Sequence, residues 1–255
     1  MAIVAVAGDV CTTTTVALAS AWSVADDVIV VEADPAGGDL AAWLDMPTSP
    51  SLSTVVTRVR DGSWPDIEQH TRLAESGLRV IPAPPRSGEA AQAVSESARS
   101  VVTTLATLRS PIVIADTGRL QAAPAAHPFV GSAAVTVLVH RQAAQSSRAA
   151  AVRLQRLADQ VDAMATLPGA IVIAVVGVAP FGLDEIESFI GASVGEQTVI
   201  GLPTDDLAAA VFGGRTGVSS RRLARLPLLK AARGLVAAAE RSLSITPDGL
   251  WRSAR

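Results

Sequence analysis

No tyrosine, a single cysteine and a single lysine occur in the 255 residues of this chain. Aromatic residues make up only 3%, which argues against a platform that stacks nucleic-acid bases. Cys11 alone cannot form an internal disulfide framework, and one free thiol fits a reducing, cytoplasmic setting. No apolar run approaches the ~18–20 residues of a membrane span, and no basic start leads into an apolar signal core. Neither a span nor an export signal is therefore expected, although association with a membrane surface stays open. The net charge is only −3, so affinity for nucleic acid or lipid would need a local patch. His70, His127 and His140 are scattered without metal-ligand spacing, and no G-x-S-x-G stretch suggests a serine hydrolase. Lys230 is the only lysine, a bias toward arginine that a GC-rich genome produces by itself.

What the chain has in quantity is small apolar residues. Hydrophobic types make up 49% and the mean hydropathy is +0.37, enough to bury a large core. Short β-branched runs alternate with longer helical patterns. Candidate strands are Ala2–Ala7, Val28–Ala33, Leu78–Pro82, Ile112–Asp116, Ala134–His140, Ala170–Val178 and Thr198–Gly201. Candidate helices are Thr12–Ala25, Gly88–Leu108, Ala143–Met164, Leu183–Ile190, Asp205–Phe212 and Leu226–Leu243. Several strands are apolar throughout, as expected when helices cover both faces of a parallel sheet. The expectation is an α/β fold with a mostly parallel central sheet, in one domain over residues 1–245 with a frayed tail at 246–255. Asp45–Ser63 reads as the most irregular stretch, and Pro124–Pro128 as a second loop. Ligands of such folds bind beyond the carboxyl ends of the strands, so the residues just after strands matter most.

Three of those places carry chemistry. AVAGDVCTTTTVALASAW, from Ala5 to Trp22, is a strand, a turn at Gly8 and a threonine-rich helix, the frame of a phosphate-binding loop. VVEADPAGGDL places Glu32 and Asp34 at alternate positions of a strand end, where carboxylates can hold Mg²⁺ or orient a water. PIVIADTGRL ends an apolar run in Asp116, the Walker B arrangement. The plain alternatives are a chance likeness for the first, solvated acids capping a strand end for the second and, for the third, that many strands end in Asp.

In this order the three segments resemble the ParA/MinD family of P-loop ATPases, dimeric switch proteins that position plasmids, chromosomes, division sites and pili. The likeness extends through LRVIPAP at Leu78–Pro84, VTVLVHRQAAQSSRAA at Val135–Ala150 and VIGLPTDDLAAAVFGGRTGV at Val199–Val218. The resemblance implies a P-loop NTPase fold, ATP and Mg²⁺ as cofactors, and a homodimer with a protein partner. It places Gly8, Asp9, Cys11, Thr12 and Thr13 at the phosphates and Pro203 and Asp205 beside the base. Thr12, Glu32 and Asp116 fall at the Mg²⁺ shell, and Asp34 and Asp116 take the catalytic positions if hydrolysis occurs. The departures fall at the chemistry. The family loop K-G-G-x-G-K-T-T matches with Cys11 at the lysine and no counterpart to the signature lysine; upstream, either the loop has lost residues or Gly8 is its only surviving glycine. Losing a cation about 4 Å from a phosphate forfeits roughly 4 kcal/mol at an effective dielectric near 20, on the order of a thousandfold in affinity. Arg119 and Arg141 are the nearest replacements by fold position. The family's adenine-reading Asn has no match in VVGVAP, Val175–Pro180.

Cys11 itself has two readings: a thiol made reactive by a helix N-terminus, or a small filler of a shortened loop. Late in the chain, Arg215, Arg221, Arg222, Arg225, Lys230 and Arg233 follow one another with no intervening acid between Asp206 and Glu240. Such a segment can neutralise DNA phosphates, or simply form a solvated face. The leading expectation is a degenerate family member, a positioning or assembly scaffold with ATP and Mg²⁺ bound weakly or not at all. The alternatives are an active ATPase with a rebuilt loop, and a nucleotide-independent DNA-binding module.

Overall fold

The computed structural model describes residues 3–22, 28–59, 63–107, 111–120, 124, 127–142, 146–195 and 197–245. Among these, the strands are β1 (Ile3–Gly8), β2 (Val28–Glu32), β3 (Arg72–Leu73), β4 (Arg79–Ile81), β5 (Ile112–Asp116), β6 (Val135–Arg141), β7 (Ala170–Val176) and β8 (Thr198–Leu202). They form one sheet in the order β3-β4-β2-β5-β1-β6-β7-β8, parallel throughout except for the antiparallel edge pair β3–β4.

The helices are α1 (Cys11–Ala21), α2 (Leu40–Trp43), α3 (Leu52–Arg58), α4 (Trp64–Glu68), α5 (Ser87–Ser97) and α6 (Val101–Thr107). They continue with α7 (Pro128–Gly131), α8 (Ser147–Met164), α9 (Leu183–Val194), α10 (Asp206–Phe212), α11 (Ser220–Leu223) and α12 (Pro227–Ile245). Alternate side chains of each strand enter two separate cores. Val4 and Val6 join α1 and α12 on one face, while Ile3 and Ala5 join α5, α6, α8 and α9 on the other. Both faces being covered explains why β1 is apolar at every position.

All seven expected strands are present, and the differences have local causes. The strand expected to reach Val178 stops at Val176, because Gly177 turns with φ +96°. The helix expected over Gly88–Leu108 divides into α5 and α6. Ser97 donates its hydroxyl to the Val94 carbonyl at 2.6 Å, and Arg99 and Ser100 make tightened three-residue bonds. The stretch expected to be irregular, Asp45–Ser63, contains α3, whose apolar anchors Leu52 and Val55 are fully buried. β3 escaped the sequence reading because two residues carry no period. The helix starting at Pro227 runs two residues past the expected end, and the tail 246–255 lies outside the described residues. The expected helix ends at Ala25 and Ala143 likewise fall there.

Candidate functional site

The carboxyl ends of β2, β5, β1 and β6 come together in the middle of the sheet, and the three sequence motifs meet there. Only Asp9 and Val10 separate β1 from α1. Gly8 is held by bonds to both neighbours: its N–H donates to the Gly118 carbonyl at 2.9 Å, and Asp9 N–H donates to the Val139 carbonyl at 2.9 Å. At φ +109° with a Cβ position that would overlap the Val139 carbonyl, Gly8 has no alternative residue. Val10 makes the remaining turn with φ 44° and ψ 35°, a left-handed conformation that opposes its β-branch. A turn this short has no loop of successive glycines.

Helix α1 therefore begins directly at Cys11. Its thiol is 5% exposed and donates to Asp116 Oδ1 at 2.9 Å. Burial first, then the Asp116 carboxylate, push the thiol far above its ordinary range, so Cys11 remains a protonated donor. That environment fits the filler reading of Cys11, because a reactive thiolate needs the opposite surroundings. Gly118 N–H reaches the same Asp116 oxygen at 3.3 Å. Asp116 is fully buried, and its second oxygen has no partner among the described residues. Burial raises its pKa against these bonds.

Directly across the β2–β5 pairing from Asp116 lies Glu32. Its Oε1 accepts from Asp39 N–H at 2.7 Å and Leu40 N–H at 2.8 Å, and its Oε2 accepts from Ala83 N–H at 2.9 Å. Burial pushes its pKa up to about 7, opposed by the three amides that favour the ionised form. Both of its oxygens thus face backbone amides and tie the loop after β2 to the end of β4. Asp34 accepts from Ala36 N–H at 2.7 Å and packs against Gly118, where a Cβ would overlap its carboxylate. Gly118 has φ +68°, so this close approach depends on glycine twice over. Thr13 is half-buried. No group of three or more metal-ligating His, Cys, Asp or Glu side chains occurs among the described residues.

Asp9 turns its carboxylate away from α1, accepting from Arg141 N–H at 3.2 Å. Pro203 does share a pocket of about 490 Å³ with Gly177, Val178 and Phe181. Asp205 instead joins two helix starts, accepting from Ala208 N–H of α10 at 2.9 Å and Leu228 N–H of α12 at 3.1 Å. Arg215, Arg221, Arg222, Arg225, Lys230 and Arg233 are all exposed, on and around α11 and the first half of α12. Two residues went unnoticed as parts of the site's frame. His127 bridges Pro128's helix to β2, its Nε2–H donating to the Ala33 carbonyl at 2.9 Å; burial lowers its pKa. Gln142 clamps the loop after β7 through Gly177 O and both backbone groups of Phe181. A lone amide closing an apolar strand was the available signal for Gln142; for His127 there was none.

An open, mostly parallel eight-stranded sheet with a strand–turn–helix at its centre defines the class: a P-loop NTPase fold of the ParA/MinD type. Solved structures share this fold. A ParA family ATPase from Chlorobium tepidum TLS superposes with a TM-score of 0.68 at 16% identity, covering 92% of this chain and 97% of that one. The septum site-determining protein MinD of Pyrococcus horikoshii, complexed with Mg-ADP, gives 0.63 at 14% identity over 97% and 99%. The MinC:MinD cell division complex of Aquifex aeolicus gives 0.60 at 13% identity over 93% and 96%. No family model matches the chain, and no curated protein matches it in sequence. No helix among the described residues is long and apolar enough to cross a membrane.

Proposed function

We propose that this protein is a ParA/MinD-like scaffold for positioning or assembly, with weak or no ATP hydrolysis. The observation that carries this reading is the Cys11 thiol closed onto Asp116, at the residue that the family resemblance aligns with the phosphate-binding lysine. The residues present do not suit a triphosphate. The two-residue turn has no run of glycine amides, no lysine is at hand, and the nearest side chains are carboxylates. In this reading Asp34 and Asp116 serve the cradle's architecture, and Glu32 anchors backbone in place of magnesium. The working unit is a single domain over residues 1–245, cytoplasmic, dimeric, and engaged with a protein partner of a positioning system. The MinC:MinD complex among the similar solved structures supports a protein partner as the trait to expect here. Calorimetry with ATP–Mg²⁺ on the wild type and on Cys11→Lys tests the reading. No resolvable heat is expected from the wild type; stoichiometric tight binding with turnover would replace the scaffold by an active ATPase with a rebuilt loop.

A second reading rests on the exposure of all six basic residues around α11 and α12. A DNA-contacting surface there predicts binding that weakens steeply with salt and is lost in Arg221→Glu/Arg222→Glu. A flat salt dependence rejects it.

A further inference from the structure

Helix α8 carries its charges against its own dipole. Arg148 and Arg153 occupy the half near the positive N-terminus, Arg156 follows at the middle, and Asp159 and Asp162 lie toward the negative C-terminus. Helix stability alone favours the reverse order, so the arrangement answers to something outside the helix. Arg153, Arg156 and Gln160 follow at three- and four-residue spacing and form one stripe. Together with Arg119, His140, Gly8 and Asp9 they line a pocket of about 280 Å³.

The pocket lies on the α8 side of the β1–α1 turn. Its helix packs into one core, whereas Cys11 belongs to the other, so the turn separates the two places. Among the described residues none of its three arginines has an ion-pair partner. Among the described residues, Asp9 is the only acid lining it. Three guanidiniums against one carboxylate leave two positive charges without a counter-charge. Clustered like charges repel, and a guanidinium fork matches phosphate oxygens better than any other side chain does. The volume falls just under the roughly 300–1,000 Å³ of pockets that take whole small molecules.

We propose that this pocket binds a small phosphate-bearing anion, of the size of orthophosphate or pyrophosphate, between Arg119, Arg153 and Arg156. The site is independent of whether the α1 side of the turn takes a nucleotide.

The test is calorimetric titration of the full-length protein with orthophosphate, pyrophosphate and ATP without magnesium, at constant ionic strength. One equivalent of pyrophosphate is expected to bind, and Arg153→Gln or Arg156→Gln to weaken it at least tenfold. Arg148→Gln, on the same helix but outside the pocket, is expected to leave binding unchanged. Arg156 and Arg148 are exposed, so both variants keep the fold, which circular dichroism verifies. Pyrophosphate tighter than ATP assigns a free anion; ATP competing at equal affinity, with the same arginine dependence, assigns a nucleotide's phosphate end. Absence of binding at millimolar pyrophosphate overturns the proposal. So does equal weakening by Arg148→Gln, the mark of a diffuse basic surface, or pyrophosphate binding that is insensitive to Arg153 and Arg156.

Discussion

The ends of β2 and β5 lie side by side, with Glu32 opposite Asp116, and each buries a carboxylate in its own way. Glu32 accepts three backbone amides and stitches two loops together. Asp116 accepts a thiol and one long amide bond through a single oxygen, and its other oxygen has no partner among the described residues. The difference shows which acid builds the frame and which one the frame merely encloses. A satisfied buried carboxylate supports structure, whereas a half-satisfied one costs stability and persists for another reason.

Removing Glu32 should break the comparison most severely. Glu32→Ala leaves the amides of Asp39, Leu40 and Ala83 without acceptors, at about 1–3 kcal/mol for each buried group. A loss on the order of 4 kcal/mol is expected in urea denaturation; a loss below about 1 kcal/mol would mean that water replaces the carboxylate freely.

Acidity should act next. Glu32 holds its proton to about 7 in the fold but to 4.5 when free, and Asp116 is shifted in the same direction. Between those values the unfolded chain binds fewer protons, so stability is greatest near the lower one and declines as pH rises toward 7. For Glu32 this amounts to on the order of 3 kcal/mol. Urea midpoints at pH 5 and pH 7.5 check the sign. Asp116→Asn keeps an oxygen for Cys11 and should flatten the decline, gaining about 1 kcal/mol at pH 7.5. A midpoint that climbs with pH, or a variant with an unchanged slope, contradicts the account of both acids.

The smallest effect sharpens the neighbouring turn. Val10→Gly trades a left-handed strain of about 1–2 kcal/mol for glycine's extra chain entropy of about 0.5–1. A net gain of about 0.5–1 kcal/mol is expected in thermal melts, and a loss would show that Val10's side chain has a packing role that outweighs its backbone.

Much of this was legible beforehand. The apolar runs of β1, β5 and β6 need no partner to be recognised, and the Thr-rich start of α1 marked the turn. The pairing of Asp116 with Cys11 spans 105 positions, and that of Glu32 with Ala83 spans 51. No local pattern encodes contacts at such separations. Asp205 reads like a base-pocket residue in its motif, yet its oxygens are committed to α10 and α12, because helix starts compete for the same acceptor. Arg153 and Arg156 look like an ordinary solvated face until β6 and the loop after β5 bring His140 and Arg119 against them.

By itself, then, the sequence determined the layered α/β architecture and the place where chemistry would sit. Hydrophobic burial is dictated by residue type, and strand and helix periods are local. Only the tertiary structure decided what the polar residues there do. A carboxylate's role depends on which donors the fold delivers to it, and here it delivers three amides to Glu32, a thiol to Asp116 and three arginines to the far side of the turn.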